Sequence, residues 1–223
     1  MRICVYGSSS DRTPKVYTDA AFHLGQLVAK GGHVLVNGGG RNGVMGAMND
    51  GAKSANGQIV AVIHERFVVD SGVAYHDVDE MVVCGGDDLQ RRKKMLMDRS
   101  DCLIVAPGGL GTLDEFCEVL CNLQLSFVNM PVAILNTNGF YDDLLRHIKK
   151  CKEQGLLMHD INDLVYVAKT PEDALEYLSN ASMAEKQDLY QQKRVRPRFW
   201  ICSLAIISLV ELGIIGYLLR KRA

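Results

Sequence analysis

The chain has 223 residues, of which 48% are hydrophobic, 23% charged and 7% aromatic. These proportions are ordinary for a globular protein and exclude a disordered chain, a collagen-like repeat and a coiled coil. The length suits one domain of about 150–200 residues with an appendage, and such a domain buries a sufficient core without disulfides or a structural metal.

Charge divides the chain into two unequal parts. Residues 1–181 hold 17 Lys and Arg against 23 Asp and Glu, whereas residues 182–223 hold 8 against 3. The acidic body argues against a nucleic-acid partner, and the basic end favours an anionic membrane surface. The seven cysteines form no C-x-x-C pair, which indicates a reducing compartment and buried thiols rather than disulfides or zinc. Cys117 and Cys121 share a helix face, but no His lies at a matching offset, so packing is favoured over metal binding.

Short apolar runs alternate with helical patterns along the first 181 residues. The predicted strands are Ile3–Tyr6, Val34–Val36, Ile59–Ile63, Met81–Cys84, Leu103–Ala106, Val132–Leu135 and Leu164–Val167. The predicted helices cover residues 14–30, 43–55, 88–99, 112–125, 140–154 and 171–180. This order predicts an α/β fold with a doubly wound parallel sheet, covered by helices on both faces. Residues 64–80 lack periodicity and are predicted to form a loop or lid edge beside a ligand.

The segment beyond residue 181 has a different character. A polar and basic linker at 182–198 precedes an apolar run at 199–219, which is 21 residues long and flanked by Arg198 and Arg220. At roughly 1.5 Å per residue this run matches a bilayer core of about 30 Å, so it is predicted to be a transmembrane tail anchor. Glu211 favours the alternative of a buried or interfacial helix, because a central carboxylate costs about 2.5–3.5 kcal/mol on insertion. No signal peptide precedes the first strand, so the expected location is a cytosol-facing membrane with the domain at 1–181 in the cytosol.

Glycine-rich turns follow three of the predicted strands, at residues 7–10, 38–46 and 107–112. In a doubly wound fold these turns lie at the carboxyl ends of the strands, where ligands bind. Glycine permits close approach of the backbone to a phosphate, and a helix start presents free N–H groups to it. Neither a G-x-G-x-x-G turn after the first strand nor a G-x-x-x-x-G-K-[ST] loop is present, which argues against a dinucleotide site and a P-loop. A phosphorylated ligand of another kind is therefore predicted.

The third turn carries acids as well as glycines. Asp114 and Glu115 follow Thr112 within the first turn of the next predicted helix. A carboxylate beside an anion site is unexpected for simple phosphate binding but suits hydrolysis of a glycosidic bond, which passes through an oxocarbenium-like state. From the residues alone, stabilisation of the helix N-terminus explains Glu115 equally well.

Three spaced motifs resemble those of one family. Residues 107–115, P-G-G-L-G-T-L-D-E, resemble the P-G-G-x-G-T-x-x-E signature of the LOG ("Lonely guy") family, also labelled lysine decarboxylase-like. Residues 38–46 are similar to its G-G-G-x-x-G-x-M-G loop, and Arg92 and Lys93 match its Arg-Lys pair. The resemblance covers about residues 1–180. It implies a Rossmann-like homodimer that hydrolyses a purine nucleoside 5′-monophosphate, either AMP or a cytokinin riboside monophosphate, to free base and ribose 5-phosphate.

The resemblance also implies roles for individual residues. Arg92 and Glu115 correspond to the catalytic pair, although the neighbouring Arg91 competes with Arg92, which the spacing favours. Gly108, Gly109, Leu110, Gly111 and Thr112 correspond to the phosphate loop. The further candidate substrate contacts are Ser8, Gly39, Gly40, Gly43, Glu65, Lys93 and Asp114. Asp114 is alternatively a helix cap, and Arg41 is either a phosphate contact or a surface residue.

Several alternatives were weighed against the hydrolase. Decarboxylation of lysine is not expected, because no phosphate loop is paired with a Lys suited to a pyridoxal phosphate Schiff base. Neither a metal nor an organic cofactor is expected. The alternatives that remain are a membrane-attached nucleotide-binding sensor without turnover and a dimeric scaffold.

Overall fold

The computed structural model describes residues 1–69 and 72–182. Met1–Asn180 form one compact unit. The domain boundary at residue 181 stays a prediction. The hydrophobic helix predicted at 199–219, and nearly all of the linker before it, lie outside the described residues.

The predicted location at a membrane requires correction. Within residues 1–69 and 72–182, no helix is both long enough and apolar enough to cross a bilayer. A tail-anchored protein on a cytosol-facing membrane therefore has no support in the structure. The segment on which that prediction depended is not among the residues described.

The described residues form seven strands and eight helices, which alternate except that α6 and α7 both lie between β6 and β7. The strands are β1 (Arg2–Tyr6), β2 (Val34–Asn37), β3 (Gln58–His64), β4 (Glu80–Cys84), β5 (Cys102–Val105), β6 (Val132–Leu135) and β7 (Tyr166–Ala168). The helices are α1 (Lys15–Lys30), α2 (Gly43–Ser54), α3 (Glu65–Val69), α4 (Gln90–Asp98), α5 (Leu110–Gln124), α6 (Asp142–Glu153), α7 (Ile161–Leu164) and α8 over residues 171–182. A single 3₁₀ turn precedes α6.

The strands form one parallel sheet in the order β4-β3-β2-β1-β5-β6-β7. The central strand β1 pairs with β2 on one side and β5 on the other. Ile3 lies opposite Leu35 of β2, and Cys4 lies opposite Leu103 of β5. The chain fills one half of the sheet from β1 to β4 and then crosses to the other half at β5, so the order reverses between β1 and β5. Ligand crevices form at such a reversal, outside the carboxyl ends of the strands. The predicted α/β parallel-sheet fold is confirmed.

Apolar side chains cover both faces of the sheet, as a parallel sheet requires. On one face Ile3, Val5 and Ile104 pack with Leu24 of α1 and Met48 of α2. On the other face Cys4, Val36, Val62 and Leu103 pack with Leu96 of α4 and Phe116 of α5. Helices α4 and α5 pack on the same face of the sheet. Charged residues of the two helices, including Arg92 and Glu115, are therefore close enough to form ion pairs.

Candidate active site

The three glycine-rich turns meet at the carboxyl ends of β1, β2 and β5. The backbone N–H of Ser8 donates to Pro107 O at 3.0 Å, and the N–H of Met45 donates to Ser8 O at 3.0 Å. The first turn therefore joins the second and third. Together they form one continuous wall, which agrees with the prediction that all three face the same crevice.

A cavity of about 600 Å³ lies against this wall. Its size is within the range of small-molecule sites. Ser8, Gly40, Gly109, Leu110, Gly111 and Thr112 line it, and Arg92 and Glu115 contribute its charged groups together with Arg41. The cavity therefore contains a helix N-terminus, a fixed cation and a carboxylate.

Two buried asparagines form hydrogen bonds to the backbone of the second glycine-rich turn. Asn37 at the end of β2 donates its amide to Asn49 Oδ1 of α2 at 2.6 Å and accepts from the N–H of Gly39 at 2.8 Å. Asn49 in turn donates to Gly40 O at 3.3 Å. Their polar groups are satisfied by the turn itself, and a buried amide without such partners would be costly. The sequence analysis missed both residues, because one asparagine after a strand and one inside a helix have no distinctive pattern.

The Arg92 side chain, which projects from α4, is held at three points. Its Nε donates to Val62 O at 3.0 Å, Nη2 donates to Gly38 O at 3.4 Å, and Nη1 donates to Glu115 Oε1 at 3.1 Å. The residue is buried. A guanidinium fixed by two carbonyls is already oriented toward its carboxylate partner before any ligand binds.

Glu115 lies in the second turn of α5 with its side chain only 13% exposed. Burial raises the pKa of Glu115, while the adjacent Arg92 guanidinium opposes that rise. Perturbed carboxyl groups in a cleft are typical of catalytic sites. The ion pair and the burial together make Glu115 an ionisable group of the cavity rather than a surface helix cap.

The structure distinguishes the basic residues of α4. Arg91 and Lys94 are exposed, whereas Arg92 and Lys93 are buried. Of the two arginines, only Arg92 lines the cavity. Lys93, predicted as a substrate contact, does not line it, because its Nζ lies 3.0 Å from Asp114 Oδ2 and 2.6 Å from Glu118 Oε2. Asp114 is likewise occupied by this ion pair and lies outside the cavity lining.

Four more of the predicted contacts lie beside the cavity without lining it. Gly39 and Gly43 have φ values of +74° and +62°, so they shape the second turn through conformations that other residues rarely adopt. Gly108 gives space to the Thr112 side chain, which a Cβ at residue 108 would overlap. Glu65 is exposed at the start of α3, with its carboxylate against Gly85. Gly39, Gly43 and Gly108 therefore shape the turns around the cavity, whereas Glu65 lies outside its lining.

A short segment after α3 crosses the second turn. Arg41 N–H donates to Val73 O at 2.9 Å, and Tyr75 N–H donates to Gly39 O at 2.8 Å, which forms an antiparallel bridge between Gly40 and Ala74. Tyr75 also donates its hydroxyl to Asp50 at 2.8 Å. Part of the region predicted as a lid edge is thus fastened to the site by backbone hydrogen bonds.

Apolar side chains form part of the cavity lining. They are Met45, Ile63, Phe67, Val73 and Leu89, which come from separate segments of the chain. The sequence analysis did not identify this surface, because its members are scattered over 44 residues and ordinary in type. A flat apolar group suits such a surface.

Comparisons with known proteins agree with this geometry. A family model described as "Possible lysine decarboxylase" matches residues 45–178. A probable cytokinin riboside 5′-monophosphate phosphoribohydrolase of Oryza sativa subsp. japonica is 31% identical over 192 residues, covering 86% of this chain and 78% of the relative. The chain belongs to this family, the lysine decarboxylase-like or LOG family. The predicted family assignment is confirmed.

Other members of the LOG family give similar values. A cytokinin riboside 5′-monophosphate phosphoribohydrolase of Arabidopsis thaliana is 35% identical over 156 residues, covering 70% of this chain and 67% of the relative. One from Rhodococcoides fascians is 34% identical over 159 residues, covering 71% and 79%. Among solved structures, a molybdenum cofactor binding protein of Rippkaea orientalis has a TM-score of 0.58 at 27% identity, covering 80% of this chain and 94% of that one. The molybdenum cofactor carrier protein of Chlamydomonas reinhardtii, at 24% identity and a TM-score of 0.57 over 84% and 97%, shares the fold.

Proposed function

We propose that this protein hydrolyses the N-glycosidic bond of a purine nucleoside 5′-monophosphate to free base and ribose 5-phosphate. The observation that carries the proposal is the Arg92–Glu115 pair. It places a nearly buried carboxylate beside a glycine-rich helix start within one cavity. The names of the relatives support this activity. We propose residues 1–181 as the hydrolase domain.

The two ends of the cavity suit the two ends of a nucleotide. Gly109, Leu110, Gly111 and Thr112 form the N-terminus of α5, where free N–H groups and the helix dipole favour a phosphate. Phe67 and Leu89 are on the apolar surface, which suits a purine ring or an apolar substituent on it. Glu115 lines the same cavity, and we place the ribose beside it.

In the proposed reaction, water supplies a hydroxyl group to C1′ and a proton to the base. The bond between C1′ and the base nitrogen breaks, and its electron pair leaves with the base. Positive charge develops on the ribose ring, and the Glu115 carboxylate stabilises that charge or orients the attacking water. Arg92 holds the carboxylate in place through its hydrogen bond at 3.1 Å. The chain's own residues suffice for this scheme.

Base release tests the proposal directly. The protein is incubated separately with AMP and with isopentenyladenosine monophosphate, and free base and ribose 5-phosphate are quantified in equal amounts. We expect release from at least one of the two, and the ratio of the rates gives the preference for an N6 substituent. If neither nucleotide yields base, the hydrolase proposal is wrong for both substrates.

The pH dependence of kcat provides a second prediction. Burial raises the pKa of Glu115, so its proton is retained to a higher pH than on an exposed glutamate. Because the reaction needs the carboxylate, we expect kcat to decline on the acid side at a pH above the ordinary glutamate pKa of 4.5. A profile from about pH 4 to pH 8 measures this. A rate that stays constant down to pH 4.5 would contradict it.

The sensor alternative differs in one measurable property, since a sensor binds nucleotide without consuming it. The names of the relatives given above describe hydrolases and lend a sensor no support. Binding of AMP without release of base would favour it.

We further propose that the active form is a homodimer, as the family resemblance implies. Exposed apolar side chains near the end of α5 support this, notably Leu125 and Phe127, the latter 77% exposed. Exposed apolar patches of this kind often mark protein interfaces. Sedimentation analysis should therefore give twice the monomer mass of 24.6 kDa.

A further inference from the structure

The charged residue of α4 that the reaction scheme does not use is Lys93. Its side chain is only 5% exposed, and it lies between Asp114 at 3.0 Å and Glu118 at 2.6 Å, both on α5. Burial alone would lower the pKa of Lys93, but the adjacent carboxylates of Glu118 and Asp114 outweigh burial and raise it. A buried cation is tolerated when it is paired in this way.

The two partners of Lys93 flank the proposed catalytic carboxylate. Asp114 immediately precedes Glu115, and Glu118 lies almost one helical turn beyond it. On α4, Lys93 immediately follows Arg92, whose guanidinium binds Glu115. Two consecutive cations of α4 therefore pair with three carboxylates in the N-terminal half of α5. This double connection fixes the rotation of α5 relative to α4.

The charge around Glu115 can be assigned element by element. From α4 come Arg92 and Lys93, both cationic, and from α5 the anions Asp114 and Glu118. From β1 come Cys4 and Tyr6, and burial raises the pKa of both, so they are neutral at physiological pH. The positive charge that offsets Asp114 and Glu118 thus comes from Lys93, because Arg92 is paired with Glu115.

We propose that Lys93 is a positioning residue, which pairs with Asp114 and Glu118, offsets part of their charge and holds α5 so that Glu115 stays in register with Arg92. This inference rests on the proposed hydrolysis. It assigns Lys93 no contact with substrate, in keeping with its place outside the cavity lining. A substrate contact would affect KM, whereas a positioning residue affects kcat and its dependence on pH.

Replacement of Lys93 by methionine tests the proposal. Without this cation, the charge of Asp114 and Glu118 is no longer offset by Lys93, so the pKa of Glu115 should rise and the acid limb of the kcat profile should move to higher pH. Misplacement of Glu115 should lower kcat about 10–100-fold. KM should change by less than about three-fold. Lys93→Arg, which keeps the charge, should restore most of kcat. Lys94→Met is the matched control, because Lys94 is on the same helix, 71% exposed and paired only with Asp98 among the described residues.

The variant Asp114→Asn makes the test independent of whether Lys93→Met folds. Asp114 is 59% exposed, so its amide should be tolerated. Asp114 is an anion that raises the pKa of Glu115, so its removal should move the acid limb to lower pH, opposite to the shift in Lys93→Met. A purely structural ion pair would give two variants with reduced rates and unshifted profiles.

A readout without turnover separates this inference from the proposed function. In protein carrying ¹³C-labelled glutamate, the Glu115 carboxyl resonance is assigned by its loss in Glu115→Gln and then titrated. Its midpoint should rise in Lys93→Met, fall in Asp114→Asn and stay unchanged in Lys94→Met. If the parent protein releases no base, the hydrolase proposal fails while this titration still tests the electrostatic role of Lys93. Unchanged midpoints, or an increase in KM alone, would overturn the inference.

Discussion

Replacing Glu115 by glutamine is expected to abolish base release while nucleotide binding persists. The amide has nearly the same shape, and it can still accept the hydrogen bond that Arg92 Nη1 now donates to Glu115 Oε1. It carries no negative charge, so it cannot stabilise the cationic ribose ring. We expect kcat to fall by about 10³-fold, the scale on which fixed electrostatic groups act in active sites.

Two measurements on Glu115→Gln make this result interpretable. Release of adenine from AMP gives the rate, and calorimetric titration with AMP gives the affinity. Glu153→Gln is the matched control, since Glu153 is exposed near the end of α6 and outside the cavity. Undiminished turnover in Glu115→Gln would rule out this carboxylate as the catalytic group. Loss of both binding and turnover would indicate a structural role instead.

Replacing Gly38 by alanine should impair catalysis, because the added methyl group would displace the Arg92 side chain. A Cβ at this position would overlap Nη2 of Arg92, which now donates to Gly38 O. The guanidinium would have to move, although Nε is still bound to Val62 O at 3.0 Å. Because a displacement near 1 Å can cost about 10²-fold in rate, we expect a loss of that order in kcat.

The matched control for Gly38→Ala adds the same methyl group at a surface glycine. Gly31 follows α1 with a negative φ of −75°, and a Cβ there meets only the movable His33 ring and a helix carbonyl at 3.0 Å or more. Gly31→Ala should keep full activity. Thermal melts of both variants show whether the fold is retained. Full activity in Gly38→Ala would mean that Arg92 does not need its present position.

Much of the sheet was predictable, because buried parallel strands are short apolar runs with distinct boundaries. The predicted secondary structure was least accurate at the boundaries of short helices and strands. Leu164–Val167 was predicted as a strand, but Leu164 ends α7 and β7 begins at Tyr166. Residues 65–69 form the short helix α3, which has too few residues to show a helical period. The start of α5 at Leu110, two residues before the predicted start, reflects a glycine-rich N-terminus of low helix propensity.

At the site, sequence motifs located the backbone better than the side chains. The glycine turns were predictable because glycine spacing constrains backbone geometry directly. Lys93 was predicted as a ligand contact because it belongs to the family's Arg-Lys pair, and Asp114 because it follows the third glycine-rich turn. On a helix, however, adjacent residues point about 100° apart, so the neighbour of a cavity residue commonly faces elsewhere. Asn37 and Asn49 could not be paired from sequence, since only the fold brings β2 and α2 together at that point.

The hydrogen bonds that join the glycine turns have a consequence for how this fold can diversify. Ser8 is bonded to both other turns, so a change in one of them would disturb all three and the helix start that they support. Phe67 and Leu89 of the apolar lining lie in different segments of the chain, and their side chains are partly exposed. We therefore expect that single substitutions at Phe67 or Leu89 can change which base is bound. A change in the linked glycine turns would instead alter the whole part of the site that cleaves the bond.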